Sequence, residues 1–79
     1  MIYYAAMPFI PMEHGLAPGP ALECPTEGAA IRRAEAMARH QANAGAVAFS
    51  RSGDPTLGEF EDAVILKTFG EVPEDFRQV

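Results

Sequence analysis

The only cysteine, Cys24, stands directly before Pro-Thr-Glu, and His14 lies on the stretch that leads up to it. A thiolate at the start of a helix gains from the helix N-terminus, which lowers its pKa. Paired with a histidine base, it makes a thiol nucleophile. Arg32 follows a turn or two later and adds positive charge. The competing reading is a small apolar side chain packed beneath the preceding loop, the common fate of an unpaired cysteine. No catalytic signature surrounds Cys24, so a packing role is expected and Cys24 and His14 stand as the only catalytic candidates. A second cluster, Asp54, Glu59, Glu61 and Asp62, offers oxygens of the kind that hold Ca²⁺ or Mg²⁺. Its spacing matches no EF-hand, and a solvated turn pairing weakly with Arg51 is expected instead. One cysteine and two distant histidines, His14 and His40, fall short of a zinc site. Gly15, Gly19 and Gly28 follow neither P-loop nor dinucleotide spacing. No metal and no cofactor are expected.

Charge narrows the partners. The chain has 79 residues and a net charge of −5. Residues 51–79 carry −4 of it, and the longest basic run is Arg32-Arg33. Nucleic-acid binding rests on a basic patch that displaces phosphate counterions. Tyr3, Tyr4, Phe49 and Phe69 resemble base-stacking aromatics in type, but few basic residues flank them. No nucleic-acid role is expected. No apolar run approaches the roughly 20 residues that span a bilayer, and no basic n-region precedes the first apolar stretch. The expectation is a soluble, cytoplasmic protein with no membrane role.

The elements that must position these residues follow from local pattern. Residues 2–10 are aromatic and β-branched, which predicts a strand over 2–7 that ends near Pro8 or has an unpaired side there. Residues 11–21 hold three prolines and two glycines and read as a loop. Thr26 and Glu27 form a helix start, and Ala30, Ile31, Ala34, Met37, Ala38 and Ala42 recur at helical spacing. A helix over 26–44 follows, with Gly45 as its C-terminal glycine. Ala34 and Ala38 are expected to face a sheet at close range. Strands are expected at 46–51 and 62–69, and 70–79 is a tail. The whole is one domain, residues 1–79: an α+β chain of βαββ order, with a three-stranded mixed sheet and one helix on one face. The crossover makes the first two strands parallel.

One helix covers only one face of such a sheet. Both faces are apolar: Tyr3, Ala5 and Met7 on one side of the first strand, Phe49 in the second, and Ile65 and Phe69 in the third. A sheet with one wet face alternates apolar with polar residues, and this one does not. Those six residues are the interface candidates, and a homodimer is the expected partner arrangement. The alternative is that loop and tail fold back over the second face through Phe9, Leu16, Leu22, Val72 and Phe76.

Residues 45–66, Gly-Ala-Val-Ala-Phe-Ser-Arg-Ser-Gly-Asp-Pro-Thr-Leu-Gly-Glu-Phe-Glu-Asp-Ala-Val-Ile-Leu, and residues 23–35 before them, resemble small uncharacterised bacterial proteins of about this length. The likeness covers residues 23–76. It implies a small βαββ protein and no assigned activity. The functional expectation is a non-enzymatic protein acting through protein contacts, with an unknown protein partner or a second copy of itself. The alternative is a small-molecule binder or thiol-dependent enzyme using the loop before the helix.

Overall fold

The computed structural model describes residues 1–54 and 56–76. Its elements in chain order are β1 (Ile2–Met12), β2 (Gly15–Pro18), β3 (Leu22–Cys24), α1 (Glu27–Arg39), β4 (Gly45–Asp54), β5 (Glu59–Phe60) and β6 (Val64–Gly70), then a 3₁₀ turn at Glu74–Phe76. The six strands form one curled sheet in which every pairing is antiparallel. β1 and β4 are the two central strands. β2 and β3 lie end to end along the outer edge of β1, and β5 and β6 along the outer edge of β4.

This corrects the three-stranded mixed sheet of βαββ order. The first strand does not feed the helix. It turns at Glu13-His14 into β2, and the chain returns along β1 as β3 before the helix begins. The crossover through α1 therefore joins β3 to β4, with β1 between them. β3 and β4 both run opposite to β1, so the crossover joins strands of like direction and the long central pair β1–β4 is antiparallel.

The prolines of residues 8–20 are accommodated by position. Pro8 lies within β1, opposite Ala46. Its carbonyl accepts from Gly19 N at 2.8 Å, so its nitrogen points to the same outer side. There it meets the gap between Pro18, where β2 ends, and Leu22, where β3 begins. The missing donor falls where no ladder needs it. Pro18 is on an outer strand, where proline is tolerated.

The Oγ1 of Thr26 accepts from Ala29 N at 3.1 Å and starts α1. The helix stops at Arg39, well short of residue 44. The His40 N–H and the Asn43 side-chain amide both donate to the Met37 carbonyl, the latter at 2.9 Å. Gly45 is not the helix-ending glycine. It opens β4, where a Cβ would run into the Glu71 and Phe69 carbonyls.

Ala30 and Ala34 of α1 are fully buried against Ala6, Ala46 and Ala48, which are fully buried too. Alanine on both sides lets helix and sheet approach closely. Tyr4, Cys24, Leu66 and Phe69 complete this helix-side cluster. On the opposite face Phe9, Val47 and Val72 form a second cluster. Gly70, at φ +67°, ends β6 and turns the chain toward it. Val72 and Phe76 then close over that face, with the Phe76 ring against Phe9. No helix among the described residues is long and apolar enough to cross a membrane.

Candidate functional site

The thiol candidates are far apart. Cys24 pairs with Tyr4, while His14 sits in the turn beyond Met12. Eight residues of β1 separate these levels, about 27 Å of strand. Cys24 is buried in the helix-side cluster, and its S–H points to the Leu22 carbonyl at 3.5 Å. His14 is exposed at the hairpin tip. The two do not form a nucleophile–base pair.

Asp54 serves a turn. Asp54 Oδ1 accepts from Thr56 N at 2.9 Å, and the Asp54 carbonyl accepts from Leu57 N at 3.2 Å. This is the local capping for which aspartate is favoured in turns. Asp54, Glu59 and Glu61 border an open cleft of about 420 Å³ beside Met1 and Phe60. Among the described residues no three His, Cys, Asp or Glu side chains are grouped to hold a metal ion.

The six interface candidates divide between the faces. Tyr3, Ala5 and Met7 alternate with the helix-side residues Tyr4 and Ala6, and so share the second face with Val47 and Phe49. Ile65 pairs with Phe49 and joins them. Phe69 does not. A bulge in β6 sets Ala48 opposite Lys67 and Phe49 opposite Ile65, leaving Leu66 as the extra residue. An extra residue reverses the facing of everything beyond it. Phe69 is thereby placed opposite Ala46, on the helix side. Lys67, opposite Ala48 and exposed, holds its ammonium 5.3 Å from the centre of the Phe69 ring.

Among the described residues the second face is covered at one end only. Around Phe9 and Val47 it is closed by Val72 and Phe76. At the other end the sheet extends past the helix as an overhang. Tyr3 meets Phe60 there, ring centres 6.1 Å apart, and the Tyr3 hydroxyl donates to Met1 Sδ at 3.2 Å. Phe60 is 49% exposed, Ile2 58% and Val64 60%. Ile2 is opposite Ser52 and Val64 opposite Ser50, so both lie on the helix-side face of this overhang, while Phe60, opposite Gly53, lies on the second face with Tyr3. Met1 and Leu57 add to the same exposed end.

The sequence reading missed Met1 and Phe60 as parts of this patch. Each looks unremarkable along the chain. The patch exists because β5 folds back on Gly53 and brings Phe60 to Tyr3. Comparison with known proteins finds no matching family model, no matching curated protein and no matching solved structure. The functional reading therefore rests on the geometry of this chain.

Proposed function

We propose that this chain is a small non-enzymatic interaction protein that works through protein contacts and self-associates as a homodimer. The contact surface is the uncovered half of the second face, with Tyr3 and Ala5 at its centre and Phe49 and Phe60 beside them. The observation that carries this reading is the aromatic pair at the uncovered end of that face, where Tyr3 meets Phe60 and Phe60 is 49% exposed. Single exposed apolar residues are ordinary on protein surfaces, whereas a contiguous group of them is characteristic of interaction sites. Aromatic side chains such as Tyr3 and Phe60 are the residue types most enriched at interface centres. Burial of a few such side chains at about 1.5–3 kcal/mol each offsets the entropy of association.

The test is a Phe60→Ser variant followed by sedimentation velocity over a concentration series, with circular dichroism as a check on folding. The native chain is expected to shift to the dimer with concentration, and the variant to remain largely monomeric at concentrations where the native chain is paired. Identical profiles for both would remove Phe60 from the contact and overturn this placement of it.

A further inference from the structure

The uncovered half carries charges of opposite sign on the two strands that flank β1. Glu23 of β3 is opposite Ala5, and Arg51 of β4 is opposite Tyr3. Residues directly opposite in an antiparallel ladder share a face, so both belong to the second face with Tyr3 and Ala5. Both are exposed. They lie one strand to either side of β1, about 10 Å apart across the sheet and about 7 Å apart along it. Side by side on one face, the two form no salt bridge with each other. Among the described residues an ion pair joins Arg39 to Glu35, on the outside of the helix. No other charged residue of β1, β3 or β4 shares this face with them.

Resting on the homodimer reading above, we infer that two copies pair face to face about a two-fold axis parallel to β1, so that Glu23 of each copy meets Arg51 of the partner subunit. The choice of axis follows from the layout. A two-fold rotation about a line lying over β1 exchanges left flank for right and keeps height along the strand. It sets the β3 of one copy against the β4 of the other. Facing each other across sheets packed about 10 Å apart, with a remaining offset of about 7 Å along the strand, an extended arginine and glutamate together span the gap. A two-fold axis in the same plane but perpendicular to β1 keeps each flank over itself, acid side against acid side and base side against base side. Only the first arrangement is self-complementary in charge. It also places Tyr3 and Ala5 at the centre with the charges at their margins, the usual division of an interface into apolar core and polar rim. Each copy contributes one acid and one base, so the dimer holds two equivalent pairs.

The inference is tested by charge reversal in three samples: E23R alone, R51E alone, and the two variants mixed. Each single variant brings like charges together twice in its own homodimer. Self-association is expected to weaken roughly tenfold or more in each at low salt, and the deficit is expected to shrink at high salt, where exposed charges are screened. In the mixture, a heterodimer of E23R with R51E regains two opposite-charge pairs. It is expected to form with near-native affinity, read by sedimentation velocity with one variant fluorescently labelled. A native dimer whose affinity is indifferent to either reversal, or variants that are weakened and not rescued by mixing, would overturn the two-fold axis along β1 and leave self-association standing. A native chain that stays monomeric would overturn both.

Discussion

The rings of Phe9 and Phe76 meet with their centres 5.1 Å apart and their planes tilted by 56°. Phe9 is fully buried in the middle of the second face, and Phe76 reaches it from the 3₁₀ turn near the end of the described chain. Tilted contacts at this spacing are a favoured aromatic arrangement. The C-terminal segment thus supplies a lid over the half of the face around Phe9, and no described residue of it reaches the half around Tyr3.

Replacing Phe76 by Ala should therefore uncover Phe9 and Val47. Phe76 is only half-buried, so the loss is expected below that of a central core phenylalanine, at about 1–3 kcal/mol. Urea denaturation of the variant should show a lower midpoint with little change in slope. An unaltered midpoint would mean that the lid contributes nothing to stability.

Close approach of α1 to the sheet depends on alanine meeting alanine. Ala34 is fully buried against a sheet surface made of Ala6, Ala46 and Ala48, whereas Ala38 is only partly buried at the margin of the same cluster. Ala34→Leu should overpack this contact and cost about 1–3 kcal/mol, with Ala38→Leu costing less. Thermal denaturation of the two variants distinguishes them. A larger loss for Ala38 than for Ala34 would mean that the helix presents a different face to the sheet.

How much of this was legible in the sequence differs from element to element. The helix start was readable because Thr26 and Glu27 act through local rules: a side-chain oxygen near the first free N–H groups and an acid in the first turn. The helix end was not, because Asn43 folds back on Met37 and Gly45 answers to the distant Glu71 backbone. β2 and β3 were hidden in a Pro-rich stretch. Whether Pro8 or Pro18 breaks a ladder depends on which side of the strand lacks a neighbour, and that is a tertiary fact. Missing β3 made the crossover appear to begin at β1, and the strand directions were misassigned with it. The separation of Phe69 from Ile65 was equally invisible, since a bulge at Leu66 leaves no mark in an unbroken apolar run.

Cys24 should react slowly with thiol reagents in the folded protein, because its side chain lies in the cluster beneath α1 with the S–H directed at the Leu22 carbonyl. Labelling with a small electrophile, with and without denaturant, measures this. Slow modification in buffer and rapid modification in denaturant is the expected pair of results. Equal rates in both would show an accessible thiol and reopen the reading of Cys24 as a nucleophile.

Sedimentation equilibrium of the native chain at micromolar concentration, in low and in high salt, tests self-association most directly. The apolar overhang around Tyr3 and Phe60 predicts twice the 8.5 kDa chain mass in both, because hydrophobic contact survives the screening that weakens charge pairs. A single species at the chain mass in both salts would contradict the account and leave the Tyr3 half of the second face as ordinary exposed surface.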